Sequence, residues 1–164
     1  MILPERYWEV RSALGFDQID FGVGGILLFK PAEIEAGQLG YSKHPGGSSL
    51  CSGKAGAWQQ NWIVVGHEMA CGDPLIVDVA DPAFPILTDF HGQGTWQPSC
   101  IAISLDAFVS SLKEFARIAS GRSTPVQRDA NPVTAAERRD FLARISEAHQ
   151  GRANMDFWDA LLEA

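Results

Sequence analysis

Residues 62–90 carry the sequence WIVVGHEMACGDPLIVDVADPAFPILTDF. Three short runs rich in β-branched and aromatic residues, at 62–65, 75–79 and 84–90, are separated by the turn signals Gly72-Asp73-Pro74 and Asp81-Pro82. A parallel return between two strands needs a crossover of about a dozen residues or more, and these connections are shorter. The stretch therefore predicts a meander of antiparallel strands.

The sequence before this meander predicts a helix, a further strand and a loop. Apolar residues recur at helical spacing from Leu3 to Leu14, with Pro4 in the first turn and Gly15 just beyond the last, which indicates a helix over about 4–14. The apolar run at 24–29 is typical of a short strand, and 31–37 of one or two helical turns. Residues 42–56, rich in Gly and Ser, predict a surface loop.

The sequence after the meander predicts one more strand and three helices. Residues 99–102 favour a strand, and Ser104 is a suitable N-cap for a helix with a broad apolar stripe from Leu105 to Ala119. A polar connector follows at 121–132. Thr134-Ala-Ala-Glu137 is a capping box, and Asn154 is an N-cap for a last helix whose apolar residues, Trp158 among them, we expect to dock back.

These elements predict an α+β fold: an N-terminal helix, an antiparallel sheet of about five or six short strands covered by helices, and a helical C-terminal tail. We expect an α+β domain over 1–120. Residues 121–164 are predicted to be a connector and a helical extension that packs on the same domain.

The length and composition suit one ordinary globular domain of 164 residues, of which 46% are hydrophobic. No window approaches the roughly 20 consecutive apolar residues of a membrane span, and the first residues lack the pattern of a signal peptide. Cys51, Cys71 and Cys100 cannot all pair and show no Cys-x-x-Cys spacing. A cytoplasmic location is the expectation.

The distribution of charge is uneven. The net charge is -7, which argues against a basic nucleic-acid-binding protein. Residues 55–112 contain no Lys or Arg, and their acidic residues are Glu68, Asp73, Asp78, Asp81, Asp89 and Asp106. Two interpretations stay open: acidic residues that solvate turns between strands, or an acidic surface that attracts a basic partner.

Candidate reactive groups are few, and no cofactor or metal is expected. The loop at 47–54 is one residue too long for a phosphate-binding loop, and Ala55 stands where Ser or Thr would ligate magnesium. His67, Cys71, Asp73, Asp78 and His91 would suit a metal if they converged, but strand-end and turn residues bonded to the backbone account for the same pattern. Cys100 with His91 is a weak nucleophile–base pair, since a free cysteine in a strand is usually a small buried hydrophobe.

Tryptophans offer a second class of candidate. Trp62 and Trp158 are expected in the core. Trp58 and Trp96 flank loops and polar residues, so either is a candidate exposed anchor for a partner.

Several short motifs follow one another in a defined order. They are Leu3-Pro4-x-x-Tyr7, Gly15-Phe16-x-x-Ile19-Asp20-Phe21-Gly22, Leu28-Phe29-x-Pro31-x-Glu33-Ile34, Gln38-x-Gly40-Tyr41-Ser42, Trp62-x-Val64-Val65-Gly66, Gly72-Asp73-Pro74-x-x-Val77-Asp78, His91-Gly92-x-Gly94-x-Trp96 and Ile101-Ala102-x-Ser104. In this order and spacing the chain resembles the SUKH superfamily, whose name-giving members are fungal cell-wall assembly regulators of the Smi and Knr type. The resemblance extends from Leu3 to about Leu112, and 131–158 is similar to a C-terminal extension of some bacterial members.

The resemblance implies an α+β domain without a recognised active site, used in bacteria largely as an immunity protein that binds and neutralises a toxin, often a nuclease. It also implies that the Gly72-Asp73-Pro74 turn and Asp78 define the fold and are not catalytic. Many members begin with a helix before the Leu-Pro motif, and here only Met1 and Ile2 precede it.

Three functions follow as hypotheses. The first is a non-enzymatic immunity-type protein that binds a toxin or other basic protein, with no direct contact to nucleic acid or membrane; its partner-binding candidates are Trp58, Glu68, Asp73, Asp78, Asp81, Asp89 and Trp96. The second is a regulatory or scaffolding protein of cell-wall or envelope assembly. The third is a hydrolase or a metal enzyme, with His67 and His91 as ligands.

Overall fold

A six-stranded antiparallel sheet forms the centre of the protein, and its strands lie side by side in sequence order. The structure, a computed structural model, describes residues 3–163. The strands are β1 (Gln18–Phe21), β2 (Gly24–Leu28), β3 (Trp62–Glu68), β4 (Pro74–Asp78), β5 (Ile86–Thr88) and β6 (Ser99–Ala102). The helices are α1 (Glu5–Ser12), α2 (Leu105–Ala119), α3 (Pro125–Ala130), α4 (Ala135–Ala148) and α5 (Met155–Ala160). The predicted α+β class and the meander are confirmed.

The strand register determines which side chains share a face, because directly opposed residues point to the same side of a sheet. Ile26 opposes Glu68, and Leu75 opposes both Gly66 and Thr88. This face, which we call the helix face, continues into β1, where Phe21 packs on Phe115 of α2 with ring centroids 5.7 Å apart. A register shift between Val64 and Gly66 places one extra residue in β3, so Ile63 before it and Gly66 after it both oppose β4 residues of the helix face.

The helices after the sheet cover the helix face. Ser104 caps α2 by accepting a hydrogen bond from Ala107 N, and the capping box of Thr134 and Glu137 opens α4. Phe141 of α4 and Trp158 of α5 are fully buried in the same core as the sheet residues. The indole N–H of Trp158 donates to the carbonyl of Ile101 in β6. The predicted docking of the tail is therefore confirmed.

The other face is covered by residues 29–61, which we call the loop layer and which contain a short 3-10 helix at Ala36–Gln38. Phe29, Tyr41 and Trp58 belong to an aromatic cluster that reaches His67 on β3. The side chain of Gln38 is 1% exposed and exchanges hydrogen bonds with both the N–H and the C=O of Val64. The sequence predicted a surface loop at 42–56; the structure shows that Phe29, Ile34 and Trp58, on either side of it, belong to the core.

Two elements were not predicted. β1 is only four residues long, and its alternation of exposed and buried residues is too short to stand out in the sequence. α3 lies inside the predicted connector, where Thr124 caps it and Pro125 occupies its first turn. Among residues 3–163, no helix combines the length and apolar character that crossing a bilayer requires.

Candidate functional site

A cleft of about 590 Å³ lies on the helix face, between the end of the sheet where β3 ends and β4 begins and the last helix, α5. Its floor is apolar and includes Ala70, the Thr88 side chain, Phe157 and Leu161. The volume falls within the range of about 300–1,000 Å³ that is usual for ligand-binding sites. Five carboxylates also line this cleft, which we call the acidic cleft: Glu68, Asp73, Asp89, Asp156 and Glu163.

The three carboxylates on the sheet side are held in place by hydrogen bonds. Glu68 accepts from Ala70 N and Cys71 N, so its side chain closes the β3–β4 turn. Asp73 Oδ1 accepts from the backbone N–H of His91 and lies 2.8 Å from His91 Nδ1. The two oxygens of Asp89 accept from Phe90 N and Gln97 N. These charges are therefore fixed relative to the sheet, which reduces the entropy lost when a ligand binds.

The two carboxylates on the helix side belong to the tail. Asp156 lies in the first turn of α5 and is exposed, and within residues 3–163 its carboxylate accepts no hydrogen bond. Glu163 lies beyond α5 and pairs with Arg138 of α4 at 2.8 Å. No Lys or Arg from the described part of the chain lines the acidic cleft.

An aromatic ring stands beside these charges. Phe90 follows β5, lines the acidic cleft and is 66% exposed, although it is a large apolar side chain. Phe157 contributes a second ring, partly buried against Trp158. An exposed aromatic residue next to a concave apolar surface is typical of a binding site.

The predicted acidic surface is divided into two parts. Glu68, Asp73 and Asp89 lie at the acidic cleft, but Asp78 opposes Trp62 at the far end of β3 and β4. Asp81 follows in the β4–β5 turn at that same far end, where it accepts from Ala83 N. At roughly 3.3 Å per residue, the length of β4 alone separates the two groups by about 16 Å. The candidate carboxylates therefore do not form one continuous surface, because the acids alternate between the two ends of antiparallel strands.

The prediction that Trp58 is an exposed anchor was wrong as well. Its side chain is 1% exposed, and its indole N–H donates to the carbonyl of Trp62 at 3.0 Å. The ring packs edge-on against Trp96 with centroids 5.0 Å apart. Trp96 and Trp62 are partly buried against the core, so Trp58 is an internal member of an aromatic cluster and not an exposed anchor.

The histidines and carboxylates suggested as metal ligands do not converge as one set. Within residues 3–163, the grouping that could offer three ligand atoms is Glu68, Cys71 and Asp73, whose atoms lie within 4.8 Å of one another. Backbone hydrogen bonds already account for both oxygens of Glu68 and for Asp73 Oδ1. Asp78 lies at the other end of the strand.

His67 belongs to the aromatic cluster of the loop layer and not to the acidic cleft. Its ring packs edge-on against Phe29 at 5.0 Å. Burial lowers the pKa of His67, and the neighbouring His91 lowers it further. These surroundings favour the neutral imidazole.

Cys100 is a poor candidate for a nucleophile. It lies in β6, and its thiol donates to the carbonyl of Ala102 at 3.3 Å. Burial raises the pKa of the Cys100 thiol, so the reactive thiolate is disfavoured. His91, the base suggested for Cys100, is bonded to Asp73.

Sequence reasoning missed the residues that complete the acidic cleft, namely Phe90, Asp156, Phe157 and Glu163. The signal was present in part: the tail was expected to dock, and it carries Asp156, Asp159 and Glu163 in its last nine residues. Which end of the sheet it reaches depends on long-range packing, which a local pattern does not encode.

Comparison of the chain with protein-family models, with curated proteins and with solved structures gave no match.

Proposed function

We propose that this chain is a non-enzymatic protein-binding module of the immunity type, which docks a basic segment of a toxin into the acidic cleft. The observation that carries the proposal is the combination of an apolar floor and five carboxylates, with no Lys or Arg among the lining residues that 3–163 contribute. The resemblance to the SUKH superfamily supplies the class of partner, a bacterial toxin of the nuclease type.

Electrostatics favour this kind of partner. A concave site lined by charges of one sign concentrates the field and speeds the approach of an oppositely charged surface. A nuclease needs Lys and Arg in its substrate channel to bind phosphates. Carboxylates fixed at Glu68, Asp73 and Asp89 would occupy the positions of phosphates and block that channel.

Apolar contact with the partner adds binding energy to this electrostatic attraction. Phe90 is the exposed ring at the acidic cleft, and binding energy at protein interfaces is concentrated in a few such residues that become buried. Phe90 therefore takes the role that the sequence gave to Trp58.

The experiment is co-expression with the product of the adjacent toxin-like gene, followed by isolation of the complex. We expect rescue of growth and a complex whose affinity falls as salt is raised. Phe90→Ala should weaken it by roughly tenfold or more, the size of a typical interface hot spot. Asp156→Asn should weaken it by a few fold, mainly through the association rate.

Asp81→Asn is the matched control, since it removes one carboxylate at the opposite end of the sheet. It should leave the affinity unchanged. No rescue and no complex at micromolar concentrations would contradict the proposal, as would equal effects of Asp81→Asn and Asp156→Asn.

A further inference from the structure

We infer that the acidic cleft selects arginine over lysine, and that its occupant is an arginine side chain in an exposed segment of the partner. This inference rests on the proposed function and specifies its ligand. It is drawn from three features of the acidic cleft: an apolar floor, unpaired carboxylate oxygens on both sides, and an exposed aromatic ring.

The floor fits the stem of a long cationic side chain. Ala70, Phe157 and Leu161 provide apolar contact between the two groups of carboxylates. Arginine and lysine both lay their methylene stems along apolar surface while the charged end reaches polar groups. The floor therefore favours a long basic side chain over a metal ion or a small hydrated cation.

The carboxylates favour a planar head with several donors. Within the described chain, Asp73 Oδ2 and both oxygens of Asp156 accept no hydrogen bond, and they approach the acidic cleft from the sheet side and the helix side. A guanidinium presents five N–H donors in a rigid fork and can bond to two carboxylates together. An ammonium is a compact, strongly hydrated charge that gains less from such an arrangement.

Phe90 distinguishes arginine from lysine. Phe90 is 66% exposed beside the carboxylates, and the described residues place no cation on its ring. A guanidinium stacks on an aromatic face and sheds its water readily, so an arginine bound at the rim can contact the ring and a carboxylate at once.

The test compares two short peptides of equal charge, acetyl-GGRGGRGG-amide and acetyl-GGKGGKGG-amide, titrated into the isotopically labelled full chain and followed by NMR at two salt concentrations. We expect both to shift the amides of Cys71, Asp89 and Phe90, and the arginine peptide to bind about fivefold more tightly. Raised salt should weaken both peptides.

Variants separate the ring from the charge. Phe90→Leu keeps an apolar side chain but removes the aromatic face, and it should bring the ratio of the two affinities close to one. Asp156→Asn should weaken both peptides by a few fold. Val126→Ala, at an exposed apolar residue of α3, and Asp81→Asn are the matched controls and should change neither affinity.

The outcomes distinguish the two proposals. Equal affinity of the two peptides at the acidic cleft would overturn the selection of arginine and leave the proposed function standing. Absence of binding by either peptide, with a toxin complex still sensitive to Asp156→Asn, would have the same meaning. Absence of peptide binding together with a toxin complex insensitive to Asp156→Asn would overturn both.

Discussion

Gln38 shows how one side chain can replace a strand partner. β2 pairs with β3 only as far as Gly66, and Phe29 N then bonds to Val65 O. Beyond that point the amide of Gln38 satisfies the N–H and C=O of Val64 at 3.0 and 2.9 Å, and it also donates to Ile34 O. The loop layer is thereby joined to the sheet through an amide buried on all sides.

Replacing this amide should destabilise the protein strongly. Gln38→Met keeps the length of the side chain but leaves both buried polar groups of Val64 unpaired, and each such group costs about 1–3 kcal/mol. We expect the free energy of unfolding to fall by roughly 3 kcal/mol in urea titrations. Gln18→Met, at an exposed position of β1, is the matched control and should change it by less than about 0.5 kcal/mol. An equal effect of the two variants would contradict this role.

His149 is a fully buried histidine at the end of α4. Its Nε2 lies 2.9 Å from Ser111 Oγ, its Nδ1 accepts from Ile103 N, and its ring stacks on Trp158. With Nδ1 as acceptor, the neutral ring carries its proton on Nε2 and donates to Ser111. Burial lowers the pKa of His149 below its ordinary value of 6.5, because the charged form is poorly solvated there.

This shift predicts the pH dependence of stability. Below pH 6.5 the unfolded chain binds a proton at His149 that the folded chain does not, so the free energy of unfolding falls as the pH drops from 7.5 to 5.5. His67, whose pKa is also lowered, contributes in the same direction. His149→Gln should reduce the slope of stability against pH, measured by urea unfolding at several pH values. His44→Gln, at an exposed loop position, is the control; an unchanged slope in His149→Gln would show the prediction to be wrong.

At the scale of elements, one residue both caps α5 and attaches its first turn to the sheet. Asn154 accepts from Asp156 N, donates to Ser99 Oγ and bonds through its own N–H to Cys100 O. One residue thus starts the helix and attaches it to β6, on the helix side of the acidic cleft.

Asn154→Ala should therefore increase the mobility of α5 and weaken binding at the acidic cleft, beyond what its small effect on the free energy of unfolding would produce. Loss of an N-cap costs about 1 kcal/mol, and the lost bond to Ser99 adds to it. We expect faster hydrogen exchange confined to α5 and weaker binding of the arginine peptide. Ser104→Ala removes the cap of α2 at a comparable cost and is the control. Equal peptide binding by the two variants would count against a positioning role for Asn154.

The elements also show what the sequence can and cannot predict. Runs of β-branched and aromatic residues predicted β3, β4 and β5, and caps at Ser104, Thr134 and Asn154 predicted three helix starts, because these signals are local. The burial of Trp58 was missed because its neighbours in sequence are polar, while the atoms that cover it come from Tyr41 and Trp96. The division of the acids had the same cause, since the two ends of the sheet are defined only by pairing.

At the scale of the whole molecule, the tail completes the sheet. The outer edge of β6 is covered by the tail: Asn154 N bonds to Cys100 O, and Trp158 Nε1 bonds to Ile101 O. Unpaired strand edges are templates for association with other chains.

A chain ending at residue 120 should therefore self-associate. It would expose the outer edge of β6 together with Phe108 and Phe115, which pack on Trp158 and Phe141. We expect light scattering and size-exclusion chromatography to show oligomers or aggregate, whereas the full chain stays smaller. A monomeric, cooperatively folded 1–120 chain would refute this expectation.

The two coverings of the sheet differ in their internal bonding, and this has a consequence for motion. The helices on the helix face satisfy most of their own backbone groups, whereas the loop layer depends on contacts such as those of Gln38 and the Trp58 indole with β3. Regions with few repeating backbone bonds open at lower free energy than the global unit. We therefore expect residues 29–61 to detach from the sheet in a partial unfolding event that leaves the acidic cleft intact. Local unfolding on one face of the sheet would then not disturb ligand binding on the other.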